Sequence, residues 1–315
     1  MSKKKVIERM VKPQHLECGD TVGIVAPASS FDPDKFKEGI KKLRGLGYKV
    51  KYERAIFSKY WSRPGHDKKR AEQINRMFAN KEVKAIFCAK AGYGSVDILP
   101  YLDKKIIRLN PKIFIGYSDI TTLLLYLQKI ANLVVFHGPV VSSEIHNDMH
   151  PLTIDYLIKL CSNPQPLGAL KFPQLVSLKA GRATGVLVGG NMSLIVRAIG
   201  TPYRIETKDK ILFLEDVGES FDVVRGYFLK MRRAGVFKRI KGLIFGKMID
   251  CFDKEHNLVD VVNEIFKNYD IPILFGFPSG HLRIRGGLHV TLPMGVEASI
   301  DTDSLIVQID EPAVS

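Results

Sequence analysis

Short apolar, β-branched runs alternate with stretches of helical spacing through the first half of this 315-residue chain, and that alternation leaves few folds open. Asp20 to Pro27 (DTVGIVAP) has the pattern of a buried strand ending in a turn of small residues. Ser29, Ser30, Asp32 and Asp34 offer N-caps for a helix to about Leu46; Gly47 stops it, and Tyr48 to Tyr52 resumes as a strand. His66 to Phe78 predicts a helix with Ala71, Ile74, Met77 and Phe78 on one face. Val83 to Ala89 predicts the next strand, followed by a glycine-rich turn and a helix near Val96 to Leu102. Pro111 to Ile115 leads a strand into Gly116, a helix covers Asp119 to Ile130, and Leu133 to Phe136 is a further strand. Such alternation builds parallel βαβ units, so the expected class is α/β, with a Rossmann-like N-terminal domain over residues 1–165. Ligands bind such folds at the carboxyl ends of the strands, where Ser29, Gly92, Ser118 and His137 all fall.

A chain of this length suits two domains better than one core. Residues 166–180, rich in Pro, Gly and Lys, are expected to be a linker. Residues 181–315 predict a smaller α/β C-terminal domain. Its strands fall near Thr184–Val188, Ile211–Leu214, Leu243–Phe245, Ile273–Phe275, Val296–Ile300 and Leu305–Ile309. Its helices fall near Met192–Ile199, Ser220–Ala234 and Leu258–Asn268.

Composition narrows the class of function. Hydrophobic residues make up 45% and charged residues 25%, the balance of a soluble globular protein. No apolar run approaches the roughly 20 residues needed to cross a bilayer, so no membrane partner is expected. The basic opening, Lys3 to Lys5, is followed by Val6-Ile7, which Glu8-Arg9 interrupts at once; no secretory signal is expected, and the expected location is the cytoplasm. Cys18, Cys88, Cys161 and Cys251 are far apart, which points to reduced thiols and to no zinc or redox site. The net charge of +14 is spread along helical segments, as in Lys41-Lys42, Lys68-Lys69-Arg70 and Arg232-Arg233. Without a recognition motif, that spread does not predict nucleic-acid binding.

Ile113 to Ile120 (IFIGYSDI) is a strand, a tight turn and a helix start, which thrusts Ser118 out beside the free N–H groups of a first helical turn. That geometry suits an attacking hydroxyl and a developing oxyanion. Ile120 stands where a G-x-S-x-G elbow has its second glycine, and taken alone the turn is better read as a helix N-cap by Ser118 or Asp119. A serine nucleophile needs a base, and the base an orienter. His137 (FHGP) and His281 (FPSGH) both follow turns after strands, though a surface-turn histidine is the plainer reading of His281. Glu215 closes the apolar run Ile211 to Leu214, where it could also cap the helix after Gly218. The turn Ala91-Gly92-Tyr93-Gly94-Ser95 lacks the full dinucleotide fingerprint, and Gly189-Gly190-Asn191 repeats its strand–turn–helix form. Backbone N–H groups on such loops serve an oxyanion as well as a phosphate.

Together these segments resemble the LD-carboxypeptidase family, whose relatives include the microcin C self-immunity peptidases. The matching stretches are GDTVGIVAPAS (Gly19 to Ser29), Asp67…Arg70-Ala71…Ile74-Asn75, AGYGSVDILPYLD (Ala91 to Asp103), IGYSDIT (Ile115 to Thr121), HGP (His137 to Pro139), GGN (Gly189 to Asn191), FLED (Phe213 to Asp216) and PSGH (Pro278 to His281). Each is short; their order and combination are specific. The resemblance implies a catalytic triad of Ser118, Glu215 and His281 assembled between two domains, an oxyanion hole of backbone N–H groups at Gly92 and Asp119, and no metal or cofactor. By position, Tyr93 and Asn191 are candidates for substrate binding. The family usually has Arg-Gly-Gly-Tyr-Gly where this chain has Lys90-Ala91-Gly92-Tyr93-Gly94, which puts a methyl near the expected oxyanion site. The implied substrate is murein tetrapeptide, cut between an L-centre and the terminal D-alanine in peptidoglycan recycling. The alternative is a microcin-immunity-like peptidase cleaving aminoacyl-nucleotide amides. Family members are often dimers, so the partner that the resemblance allows is a second copy of the chain.

Overall fold

A computed structural model describes residues 10–146, 149–252, 255–283 and 286–315. The basic opening, Lys3 to Lys5, lies outside them. The first half lays down β1 (Thr21–Val25), α1 (Pro33–Gly45), β2 (Lys49–Lys51), α2 (Asp67–Ala79), β3 (Val83–Cys88), α3 (Lys104–Leu109), β4 (Ile113–Gly116), α4 (Thr121–Ala131), β5 (Val135–His137) and α5 (Pro151–Ser162). β2, β1, β3, β4 and β5 lie side by side in that order, all parallel. The chain therefore reverses its direction of winding between β1 and β3, the place where open α/β sheets bind ligands. Apolar side chains drive this layering: Val22, Ile24, Val25, Ala85, Ile86 and Phe114 are buried. Asp32 caps α1 by accepting from the N–H groups of Asp34 and Lys35. Gly23 brings α2 close to β1, since a Cβ there would stand 2.8 Å from Met77 Sδ.

The second half contains β6 (Gly168–Leu170), β7 (Val176–Lys179), β8 (Arg182–Asn191), α6 (Met192–Ala198), β9 (Lys210–Val217), α7 (Phe221–Arg233), β10 (Gly242–Ile249), α8 (Leu258–Phe266), β11 (Ile273–Phe275), β12 (Leu292–Met294), β13 (Glu297–Asp301) and β14 (Ile306–Ile309). Its sheet runs β6-β14-β13-β8-β9-β10-β11-β7, with a parallel centre, β8 to β11, and antiparallel flanks. The chain is thus mixed α/β, as expected.

Three differences from the sequence reading matter. The segment expected as a linker supplies β6 and β7, the two edge strands of the second sheet. Edges tolerate the Gly, Pro and Lys that made this stretch resemble a linker. β12 leaves the second half and pairs antiparallel with β5, closing one edge of the first sheet. Finally, Val96–Tyr101 is a 3₁₀ turn and not an α-helix, because Pro100 inside it has no N–H to give. The short π-helical turn Val141–Ile145 and the helices α3 and α5 were not anticipated.

Candidate active site

Ser118 sits directly after β4 with φ +58°, in the left-handed region that non-glycine residues seldom occupy. Such backbone costs of order 1–2 kcal/mol and persists only where the surroundings impose it. Here Gly116 lets the turn close, since a Cβ there would stand 2.7 Å from Ile120 Cγ2. The 3₁₀ turn Ser118–Ile120 then feeds α4. The serine is therefore held out from the sheet as an elbow holds a nucleophile, despite the missing second glycine.

The second half brings the other two groups. His281 Nε2 lies 3.0 Å from Ser118 Oγ, and His281 Nδ1 lies 2.8 Å from Glu215 Oε2. A carboxylate oxygen has no proton to give, so Nδ1 donates to it, and bare Nε2 accepts from the serine hydroxyl. The His281 backbone N–H also donates to Oε2, at 3.2 Å. Gly280 makes this approach feasible: at φ +106° its missing Cβ would stand 2.5 Å from Oε2. Glu215 is fully buried near the end of β9, followed by the buried Asp216. Burial alone would raise its pKa, but the His281 ring and its hydrogen bonds outweigh that and hold the carboxyl below its usual value. Burial likewise pulls His281 down, and Glu215 more than reverses it, so the imidazole sits above its ordinary value.

The glycine turn borders this site. Gly92, at φ +114°, would place a Cβ 2.3 Å from Ser29 Oγ, and the Tyr93 N–H donates to that oxygen at 3.0 Å. Ala91 stands where the backbone tolerates a side chain, and Gly92 where it does not. The Asp119 carboxylate accepts from the Ser95 N–H at 2.9 Å, while Ser95 Oγ donates to the Asp119 carbonyl at 2.7 Å. Asp119 thereby ties the Ser118 turn to the glycine turn, and its backbone N–H opens a helical turn where such groups lack an intrahelical partner. Arg70, wholly buried, secures the same loop: it donates to the Gly94 carbonyl at 3.2 Å, to the Pro27 carbonyl and to Asp67 at 2.5 Å.

Neither positional candidate for substrate binding, Tyr93 or Asn191, is among the residues lining the cleft that opens beside His281. Asn191 is buried; its amide donates to Asp216 and accepts from Ser193 Oγ and the Leu194 N–H, so it caps α6. Its amide oxygen is fully used, and one N–H of its Nδ2 remains beyond the bond to Asp216. Tyr93 lines a hollow of about 180 Å³ with Val96, Asp119, Leu194 and Arg197, its ring 5.4 Å from the Arg63 guanidinium.

A cleft of about 400 Å³ opens beside His281, lined among others by Lys35, Lys90, Tyr117, Glu144 and Arg283. Tyr117 and Glu144 escaped the sequence reading. The Tyr117 hydroxyl donates to Glu144 Oε1 at 2.6 Å, and its ring lies 5.0 Å from that of His281. Glu144 Oε2 accepts from the Val140 N–H, and burial raises this carboxyl. Glu144 sits in the π-helical turn, for which no periodicity in the sequence gives a signal; such turns often mark functional sites. Among the described residues no group of three or more His, Cys, Asp or Glu side chains could hold a metal ion.

Hydroxyl, imidazole and buried carboxylate in file form the arrangement of serine hydrolases. Comparison with known proteins narrows the class. Residues 22–138 match the LD-carboxypeptidase N-terminal domain and residues 184–300 the LD-carboxypeptidase C-terminal domain, so the chain belongs to the LD-carboxypeptidase family, a family of serine-type peptidases. It is 34% identical over 304 residues to the probable murein peptide carboxypeptidase of Bacillus subtilis (strain 168), covering 95% of this chain and 94% of that one. It is 27% identical to the microcin C7 self-immunity protein MccF of Escherichia coli, covering 95% and 96%. The structure of MccF in complex with glutamyl sulfamoyl guanosine superimposes with a TM-score of 0.89 at 26% identity, over 96% of this chain and 99% of that one.

Proposed function

We propose that the protein is a serine carboxypeptidase that hydrolyses the L–D peptide bond of murein tetrapeptide and releases terminal D-alanine. The observation that carries this reading is the file of Ser118, His281 and Glu215, with the serine held at left-handed φ. Ser118 Oγ attacks the scissile carbonyl while His281 Nε2 takes its proton and then passes it to the departing amine of D-alanine. Water next attacks the acyl-enzyme with His281 again as base, which frees the tripeptide and restores Ser118. Glu215 holds the imidazole in the tautomer that this requires. The backbone N–H groups of Asp119 and Gly92 are the proposed donors to the oxyanion.

Charge in the cleft supports a substrate rich in carboxylates. Lys35, Lys90 and Arg283 line it, against Asp32 and Glu144; Arg283 is itself paired with Asp250, which leaves the two lysines to meet a carboxylate. The similarity to a murein peptide carboxypeptidase over nearly the whole of both chains agrees with that substrate. Recycling of cell-wall peptides in the cytoplasm, by a homodimer, is the setting that completes this reading.

The test is D-alanine release from murein tetrapeptide, with Ser118→Ala alongside. The variant should fold and lose on the order of 10⁴-fold or more in rate. Near wild-type turnover by the variant would remove Ser118 from its role. The likeness to MccF favours a second reading, cleavage of an aminoacyl-nucleotide amide. Faster hydrolysis of an aminoacyl sulfamoyl adenylate than of the tetrapeptide would select it. Trp61, the chain's one tryptophan, is not among the residues lining the cleft, so a purine would lack that stacking surface there.

A further inference from the structure

Behind the triad lies a set of polar groups that the proposed reaction does not use. Glu215 accepts both bonds from His281 on Oε2, and its other oxygen, Oε1, has no hydrogen-bond partner among the described residues. Both ring nitrogens of His137, both of His289, Thr291 Oγ1 and Ser279 Oγ share that condition, and all four residues are fully buried.

The two imidazoles pack together, and the other groups sit on segments next to them or to Glu215. The rings of His137 and His289 are 5.9 Å apart, and each meets the ring of Tyr117, at 5.9 and 4.8 Å. Phe213, two residues before Glu215, lies 5.3 Å from His137. Thr291 packs against Gly138, where a Cβ would come within 2.8 Å of the threonine hydroxyl. Ser279 belongs to the turn whose Gly280 presses on Glu215. The charged and titratable groups facing His137 are Glu215 on β9, His281 on the turn after β11, Tyr117 after β4 and His289 before β12. Lys247 on β10 stands behind His289 and donates to the Leu288 carbonyl at 2.6 Å.

Native interiors leave few buried polar atoms unpaired, and several at one place mark a site for buried water. Burial drives His137 down to about 4 and His289 well below its usual value, so both rings stay neutral at ordinary pH. A neutral imidazole has one N–H to give and one bare nitrogen to receive. It can therefore donate toward a carboxylate and accept from a serine or threonine hydroxyl.

We propose that His137 is a positioning residue of the triad: its ring N–H holds Glu215 Oε1 across buried water shared with His289, Thr291 and Ser279, and so fixes the carboxylate that orients His281. The inference rests on the triad reading above. The outer partners of such relays set the orientation and basicity of the inner ones, as they do around metal-bound histidines.

The experiment compares kcat, KM and the pH profile of wild type, His137→Leu and His137→Gln. His137→Leu should lower kcat on the order of 10-fold with KM little changed. It should also move the acid limb of kcat/KM to higher pH, because a carboxylate without its donor binds protons, its own or the imidazole's, more strongly. His137→Gln keeps an N–H at similar reach and should recover most of the rate and the wild-type limb. A purely structural histidine would instead lower thermal stability in both variants and leave the limb in place, and that result overturns the proposal. If His137→Leu does not fold, Ser279→Ala and Thr291→Val remove one hydroxyl each at small change in volume and should shift the limb the same way by less. No shift in either sinks the proposal. Turnover that depends on Ser118 but is indifferent to His137 defeats this inference alone; turnover that survives Ser118→Ala defeats the triad and this inference with it.

Discussion

Each of the three candidate catalytic side chains is shaped by its immediate surroundings. Ser118 owes its exposure to a strained φ, Glu215 its close partner to a glycine without a Cβ, and His281 its raised pKa to the carboxylate beneath it. A base must be neutral to accept a proton. Activity should therefore fall as pH drops through a midpoint above 6.5, the ordinary value of an imidazole, and a kcat/KM profile measures that midpoint. Glu215→Gln removes the charge that raises His281 and leaves burial, which lowers it. The limb should then move to lower pH while kcat falls by about 10²- to 10⁴-fold. A limb that stays put in this variant would mean that another group sets it. The same pair also links pH to stability. Glu215 is lowered, so its contribution is present above the ordinary 4.5 and lost as pH falls through the depressed folded value. His281 is raised, so its contribution is present below 6.5 and lost as pH rises through the elevated one. The attraction is therefore fullest between those ordinary values.

At the scale of elements, the site depends on loops held by buried charge. Arg70 on α2 ties the end of β1 to the glycine turn, with Asp67 as its counter-ion. This explains why an aspartate and an arginine three residues apart accompany the glycine turn in the sequence. Arg70→Ala leaves two carbonyls and a carboxylate short of a donor. It should cost about 3–5 kcal/mol, read from the denaturant midpoint, and lower kcat by loosening the turn. Unchanged stability would mean that water replaces the guanidinium. Asp216 works similarly in the second half, accepting from Asn191 Nδ2, the Ser193 N–H and the Val217 N–H. Burial raises its pKa to about 6, with the neighbouring Glu215 charge adding to the shift.

The whole molecule is more interwoven than two beads on a string. One apolar core joins Ile24, Phe114 and Phe136 of the first half to Phe213, Ile244 and Leu292 of the second. The C-terminal residues Ala313 and Val314 are buried, and the Ser315 N–H donates to the Pro13 carbonyl at 2.9 Å. We infer that the two halves unfold together. Leu292→Ala, on the strand that crosses between sheets, should cost about 2–5 kcal/mol. Hydrogen exchange should report the loss equally in β1 to β4 and in β8 to β10; a loss confined to one sheet would show independent units. No helix among the described residues is long and apolar enough to cross a membrane.

The sequence by itself determined the elements whose signal is local. The strands β1, β3 and β4 are apolar runs bounded by turn residues, α1 and α2 carry an amphipathic period, and the strained turn at Ser118 is foreshadowed by Gly116 before a helix start. Its motifs also named the family and proposed Ser118, Glu215 and His281 together. Only the tertiary structure decided what depends on approach between distant segments. It set Ser118 Oγ 3.0 Å from a histidine 163 residues away, spent Asn191 on a cap, and turned an apparent linker into two edge strands. It also buried His137 and His289 together against Tyr117. The physical reason is the same throughout: backbone period and turn chemistry are local, whereas burial, hydrogen-bond partners and pKa arise from neighbours that the chain brings together only on folding.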